Sequence, residues 1–79
     1  MAFKVSEEIV RRSYTDFTII GKIETLDDGD KIAKNFTGQI LGFYRAKYDH
    51  TTDFIGTILT RGDSLIALIY KEDAKNNRF

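Results

Sequence analysis

The residues of this chain that could do chemistry lie near its middle. Residues 49–53 read Asp-His-Thr-Thr-Asp and place the single histidine beside carboxylates and hydroxyls, which could supply a general base or a metal ligand. In a β-strand, however, successive side chains point to opposite faces, so Asp49 and His50 would not converge. No residue set in the sequence combines a nucleophile with its base. We therefore predict neither catalytic residues nor a metal site, and we expect a protein that is not an enzyme and needs no cofactor.

A second group of residues could bind a ligand rather than react with it. Residues 43–48 interleave aromatic and basic side chains, in the order Phe-Tyr-Arg-Ala-Lys-Tyr. In proteins that bind single strands of nucleic acid, aromatic rings stack on bases while Lys and Arg follow the phosphates. The structural alternative is that Phe43 belongs to the core and the basic residues solvate a loop. The candidate residues for a small anionic or nucleotide ligand are Tyr44, Arg45, Lys47 and Tyr48.

Two similar turns must help to position these groups. Residues 35–38 read Asn-Phe-Thr-Gly, residues 53–56 read Asp-Phe-Ile-Gly, and each copy is followed by one polar residue and then Ile-Leu. Asn or Asp at the first position and Gly at the fourth is typical of a type I turn, so each copy predicts the tip of a β-hairpin. A longer third copy, with two residues inserted, begins at Asp16-Phe17.

Around these turns the pattern predicts a mainly β fold, a meander of about five short hairpin-linked strands with short terminal helices. The strands are expected over residues 17–26, 31–34, 39–44, 48–52 and 57–60. Residues 65–70 are apolar on every side and, with Asp63 or Ser64 as the N-cap, favour a short buried helix over a central strand. The expected organisation is an N-terminal arm or short helix (1–13), one β domain (14–71) and a polar tail (72–79).

The size of the chain predicts self-association. A domain of 79 residues removes only roughly 60–65% of its unfolded surface from water, and this one lacks cysteine. Without disulfides or a metal to staple a small core, we expect a symmetric homo-oligomer. The expected interface residues are Phe36, Phe54 and Phe43. The expected core residues, partly closed by a second subunit, are Ile40, Leu41, Ile58, Leu59 and Leu68.

Charge and hydropathy limit which other partners, such as polyanions or membranes, the sequence supports. The 12 basic and 12 acidic residues are interspersed, which argues against a general polyanion binder, although a local basic patch is compatible with the sequence. No apolar stretch approaches the about 18–20 residues of a membrane span. The first residues carry acids where a signal peptide would be apolar. We expect a cytoplasmic protein with no membrane partner.

Residues 35–44, with their near-repeat at residue 53, resemble the small bacterial four-fold β-flower proteins. The shared pattern is aromatic-x-Gly-x-x-Leu-Gly-aromatic, followed by Asp-x-x-Gly. The chain departs from it in the longer loop at 45–52, in the basic N-terminal segment and at 65–70. The resemblance implies β-hairpin petals arranged around an axis, and it carries no catalytic residues over to this chain.

Three functions are compatible with these features. The first is an oligomeric binding protein that sequesters a small anionic or nucleotide ligand between its subunits. The second is an inhibitor or adaptor that binds a host protein, as very small phage or mobile-element proteins often do. The third, which the zero net charge disfavours, is a nucleic-acid-binding module.

Overall fold

The computed structural model describes residues 3–12 and 18–76, which form one antiparallel sheet and one helix. The strands are β1 (Lys4–Arg11), β2 (Ile19–Leu26), β3 (Lys31–Asn35), β4 (Ile40–Arg45), β5 (His50–Asp53) and β6 (Ile58–Arg61), and the helix is α1 (Leu65–Asn76). Each strand pairs with the next, in the order β1-β2-β3-β4-β5-β6. The predicted meander of hairpin-linked strands is therefore confirmed.

The two predicted hairpin tips have the same backbone hydrogen bonds. The Asn35 N–H donates to the Gln39 carbonyl at 2.9 Å, and the Asp53 N–H donates to the Thr57 carbonyl at 3.0 Å. Gly38 and Gly56 have φ values of 92° and 106°, the left-handed region that favours glycine. Both turns of the repeat are thus confirmed as hairpin tips, with glycine supplying the positive φ.

The β1–β2 hairpin closes in the same way around a longer connection. There the Arg12 N–H donates to the Thr18 carbonyl at 2.8 Å. The hydrogen bond that closes this hairpin therefore spans two more residues than the corresponding bonds at the other two tips. Asp16 and Phe17, where the third copy begins, lie outside the described residues.

The repeated Ile-Leu after each turn corresponds to a β-bulge. The register shifts between Val10 and Arg11, between Ala33 and Lys34, and between Thr51 and Thr52. The residues that these shifts leave unpaired are Ile20, Leu41 and Leu59. Because a bulge inserts one residue without continuing the alternation, it sets which face the following side chains take.

One face of the sheet is covered by α1. The carbonyl of Ser64 accepts from the Leu68 N–H at 3.3 Å, so Ser64 caps the helix, as the sequence allowed. The buried apolar residues of the described chain are Val10, Ile20, Ile23, Ala33, Leu65 and Ile69. Leu41 and Leu68 pack against this cluster. Within the described residues no helix is long and apolar enough to cross a membrane.

Two glycines let the helix approach the sheet. A Cβ on Gly21 would lie 2.9 Å from Ile69 Cγ2, and a Cβ on Gly42 would lie 2.7 Å from Leu68 Cδ1. Each Cβ would lie even closer to a backbone carbonyl oxygen of the neighbouring strand, that of Lys34 or of Thr52, so a larger residue would have to shift both the sheet backbone and the side chains of α1. These contacts identify the helix-covered face as the one that carries Gly21, Gly42 and Ala33.

The structure differs from the sequence expectation at both ends. Residues 4–11 form the edge strand β1, rather than an arm or short helix, so the sheet has six strands. The helix expected over 64–70 is confirmed, but it extends to Asn76, into the segment expected to be a tail. Residues 4–11 form a strand because they pair with β2, where Glu24 lies opposite Glu7 and Ile23 lies opposite Glu8.

Part of the expected core is confirmed in the single chain, and its closure by a second subunit stays a prediction. Leu41 and Leu68 pack on the core, whereas Ile40, Leu59 and Ile58 are 38%, 45% and 62% exposed in the single chain. Ile40 and Ile58 immediately precede bulged residues, so they face away from α1 while Leu41 turns toward it. The core instead includes Val10 and Ile20, on strands whose register the sequence did not provide.

Candidate functional site: the open face of the sheet

The face of the sheet opposite α1 carries no covering element among the described residues, and we call it the open face. The strand pairing shows which side chains lie on it, because residues opposite each other on neighbouring strands share a face and form rows across the sheet. Three such rows lie on the open face. The first row is Glu7, Glu24, Ile32, Phe43, Thr52 and Ile58; the second is Ile9, Lys22, Lys34 and Ile40; the third is Arg45, His50 and Arg61. Lys4 reaches the same face, because its Nζ contacts Glu7 at 3.2 Å and Glu24 at 4.0 Å.

A network of ion pairs covers the β1–β3 half of the open face. Glu24 has a side chain only 11% exposed and lies 3.2 Å from Lys34 Nζ and 3.6 Å from Lys22 Nζ. Glu7 accepts a hydrogen bond from Lys4, which is the main reason that its pKa is below the ordinary value, and it lies 3.5 Å from Lys22. The lysines of this half are therefore engaged with carboxylates of the same face.

The β4–β6 half carries cations without such partners on the strands. We call Arg45, His50 and Arg61 the cationic row, because two arginines flank a histidine as cross-strand neighbours on three consecutive strands. Arg45 has one carboxylate contact, 3.4 Å from Asp30 in the β2–β3 turn. Within the described residues no ion pair is formed by Arg61. Among the described residues, the open face thus carries more basic side chains than carboxylates, although the chain has no net charge.

Aromatic rings accompany the cationic row. The Arg45 guanidinium lies over the Phe43 ring, with Cζ 4.8 Å from the ring centroid. Tyr48 stacks on His50 with 5.5 Å between ring centroids and 10° between their planes, and it is 64% exposed. Cations and flat rings that share one surface can engage phosphates and bases together.

The four candidate ligand residues from the sequence divide between two faces. Tyr44 lies on the helix-covered side, where its hydroxyl donates to Asp49 Oδ1 at 2.7 Å. That hydrogen bond raises the pKa of Tyr44 above its ordinary value. Tyr44 therefore does not join Arg45, because adjacent residues of a strand point to opposite faces.

The other three candidates do lie together. Arg45, Lys47 and Tyr48 line a shallow depression at the β2–β3 end of the sheet, together with Ala46, Asp28 and Asp30. The two carboxylates offset the two cations there, and Asp30 also accepts a hydrogen bond from the Ala46 N–H at 2.8 Å. The depression alone is thus not an anion site, and the excess positive charge lies along the strands instead.

The three phenylalanines expected at an interface have different surroundings. Phe36 and Phe54, at the two hairpin tips, are 69% and 65% exposed, so no neighbouring hairpin of the described chain covers them. Phe36 borders an open-face depression with Ile9, Ile19 and Lys22. Phe43 is half-buried beneath Arg45, in the middle of the open face.

Sequence reasoning missed Arg61 and His50 as parts of one surface. Their joint position depends on the pairing of β4, β5 and β6, and a bulge at Leu59 decides the face on which Arg61 lies. Asp49 lies in the turn before β5, not in the strand as the sequence predicted, so strand alternation is not what separates it from His50. Asp49 has a positive φ of 52° and bonds Tyr44, so it does not support His50.

The described residues 3–12 and 18–76 contain no group of three His, Cys, Asp or Glu side chains placed to hold a metal ion. Comparison with known proteins gives no match: no family model fits the chain, and no curated protein and no solved structure is similar to it. The four-fold β-flower resemblance stays a prediction. Function must therefore be inferred from the chain's own residues.

Proposed function

We propose that the protein is a non-enzymatic binding protein that holds nucleotide units, the phosphates together with their bases, on the β4–β6 half of its open face. The observation that carries this proposal is the cationic row beside Phe43 and Tyr48 on an uncovered sheet face. A nucleotide offers both the negative charge and the flat ring that such a surface can recognise. A single strand and a free nucleotide share this chemistry.

Charge favours the β4–β6 half over the β1–β3 half. Adjacent strands lie about 5 Å apart, so Arg45 and Arg61 are separated by about 10 Å, with His50 between them. The lysines of the other half are already held by Glu7 and Glu24 at 3.2–3.6 Å. A phosphate that binds to those lysines would have to break their ion pairs. Arg61 forms no ion pair with a carboxylate of the described residues, so a phosphate could bind it without that loss.

Ring stacking supplies the second part of the recognition. Tyr48 is well exposed and stacks on His50 with one ring face, which favours one orientation of its ring before any ligand arrives. Stacking of a base on an aromatic side chain contributes about 1–3 kcal/mol. Because every base has a π face, this surface is expected to bind with little sequence preference.

The test is a fluorescence anisotropy titration with a labelled single-stranded oligonucleotide of mixed sequence, at several salt concentrations. We expect binding that weakens steeply as salt rises, and an affinity that falls about tenfold in Arg61→Glu through loss of an attraction and gain of a repulsion. The matched control is Lys71→Glu, which changes the same charge at an exposed position of α1 and should leave the affinity unchanged.

A thermal-shift screen with mono-, di- and cyclic nucleotides separates the two sources of the ligand, since a bound ligand raises the midpoint by mass action. If only free nucleotides stabilise the protein, the ligand is a small nucleotide. If only the labelled oligonucleotide binds in the anisotropy titration, the ligand is a single strand of nucleic acid. If neither probe binds at low salt, or if both charge reversals have equal effects, the proposal is wrong and a host protein becomes the partner to seek.

A further inference from the structure

The two edge strands of the sheet differ in how well they resist pairing with another strand. β1 carries Lys4, Glu7 and Glu8, and register shifts interrupt both of its ends, features that protect natural sheet edges. All four residues of β6 are exposed, none is acidic, and Ile58 and Leu59 are 62% and 45% exposed. β6 also has a bulge, at Leu59, and one charged residue, Arg61, but it carries no carboxylate and exposes large apolar side chains, so it is the less protected edge.

Exposed apolar residues continue from β6 into the adjoining turn. Phe54 and Ile55, at the tip of the β5–β6 hairpin, are 65% and 75% exposed. Contiguous apolar side chains beside an open strand edge are typical of a protein interaction surface.

The backbone of β6 also offers hydrogen-bonding groups. The Gly62 N–H donates to the Asp49 carbonyl at 2.7 Å, one position beyond the His50–Arg61 pair that ends the β5–β6 ladder. In an antiparallel pair, positions bonded to the neighbouring strand alternate with positions whose N–H and C=O point away from it. The N–H and C=O of Arg61 therefore point away from β5, toward the open edge.

We propose that a second copy of this chain pairs antiparallel with β6 across a two-fold axis. In the centred register, Ile58 lies opposite Arg61 of the second copy, and Leu59 lies opposite its Thr60. The two arginines then sit at opposite ends of the strand pair, about 10 Å apart, so that like charges do not face each other. A two-fold pairing of two β1 strands centred on Glu7 or on Glu8 would set that carboxylate opposite its own copy, a repulsive arrangement.

This pairing would join the two six-stranded sheets into one, with both open faces on the same side. The cationic rows of the two copies would then form one continuous surface. A four-residue strand pair with its neighbouring apolar side chains buries less than the about 1,200–2,000 Å² of a stable interface. We therefore expect a reversible dimer whose population rises with protein concentration.

The test is sedimentation velocity without nucleic acid, over protein concentrations from micromolar to the solubility limit. Ile58→Lys should lower the association constant at least tenfold, because the new lysine would face Arg61 of the second copy. Ile58→Glu should keep the dimer, since its carboxylate would face the same arginine. The double variant Ile58→Lys with Arg61→Glu should restore association by reversing the pair.

The matched control is Val5→Lys on β1, because Val5 is also 62% exposed on an edge strand. It should associate like the wild type, and circular dichroism of each variant checks that the sheet is intact. A wild type that is monomeric at every concentration would overturn the proposal. So would equal losses in Ile58→Lys and Ile58→Glu, or in Ile58→Lys and Val5→Lys. Since no nucleotide is present, these outcomes are independent of the proposed function.

Discussion

The guanidinium of Arg45 lies over the ring of Phe43, 4.8 Å from its centroid, in the middle of the face that α1 leaves open. The two residues are two positions apart on β4, so the alternation of the strand brings their side chains to the same face. The contact holds a cation above an aromatic ring beside His50 and Arg61. If the open face binds nucleotide units as proposed, this contact orders part of the surface before the ligand arrives.

Replacing Phe43 with Leu should weaken nucleotide binding while changing stability little. The variant keeps an apolar side chain on the sheet but removes the ring beneath Arg45, a contact of about 0.5–1 kcal/mol at exposed sites. We expect the anisotropy affinity to fall about two- to fivefold. Ile32→Val, a conservative change on the neighbouring strand in the same row, should leave the affinity unchanged. Equal losses in the two variants would contradict a role for the ring.

Gly42→Ala should destabilise the protein more than Gly38→Ala. A Cβ at residue 42 would meet the Thr52 carbonyl oxygen and Leu68 of α1, while nothing lies within 4 Å at residue 38. Overpacking of this kind costs about 1–3 kcal/mol or more, whereas Gly38 carries only the strain of its positive φ, about 1–2 kcal/mol. Urea unfolding of both variants measures the difference. A smaller loss for Gly42→Ala would contradict the helix–sheet contact.

Asp53→Asn should be tolerated, whereas Asp53→Ala should cost about 1–2 kcal/mol of unfolding free energy. Asp53 Oδ1 accepts from the N–H groups of Ile55, Gly56 and Thr57 at 2.9–3.0 Å. In the turn at residues 35–38 an amide oxygen makes equivalent hydrogen bonds, since Asn35 Oδ1 accepts from the Thr37 and Gln39 N–H groups. Denaturant unfolding of the two variants is the measurement, and similar losses in both would contradict the equivalence of the turns.

The stability contributed by Tyr44 should disappear in alkaline solution. Its hydrogen bond to Asp49 raises the pKa above the ordinary value of 10.0, so the folded state holds the phenolic proton more tightly than the unfolded state. The contribution is full below pH 10.0 and is lost as the pH rises through the folded-state pKa. We expect the unfolding free energy of the wild type to fall relative to Tyr44→Phe across that range. A constant difference between the two proteins would contradict the hydrogen bond.

The hairpins could be predicted because their turns are determined locally. Asn35 and Gly38 lie within one five-residue closure, and Asp53 and Gly56 repeat it. The helix was predictable for the same reason, since Ser64 caps an apolar run that begins at Leu65. Such short-range signals are present in the sequence whatever the rest of the chain does.

Strand β1 could not be predicted in this way, because its state depends on a distant partner. Ser6-Glu7-Glu8 reads locally as the start of a helix, with acids in the first turn. In the sheet, Glu7 instead lies opposite Glu24 and 3.5 Å from Lys22 Nζ, seventeen and fifteen positions along the chain. An edge strand with both polar and charged residues lacks the alternation that identifies a half-buried strand.

The cationic row was beyond sequence reasoning for a related reason. Arg45 and Arg61 are sixteen positions apart, and only the pairing of both strands with β5 brings them into one line. A slip of one residue in β6 would move Arg61 to the helix-covered face, so the bulge at Leu59 is part of the site. No local pattern in the sequence encodes that register.

The most direct test of nucleotide binding at the cationic row is an NMR titration of the isotope-labelled protein with a single-stranded oligonucleotide. We expect the amide resonances of Phe43, Arg45, His50 and Arg61 to shift together, while those of Ile66 and Lys71 on α1 stay in place. Saturating shifts confined to α1 or to the β1–β3 half, or no shift at low salt, would contradict nucleotide binding at the cationic row.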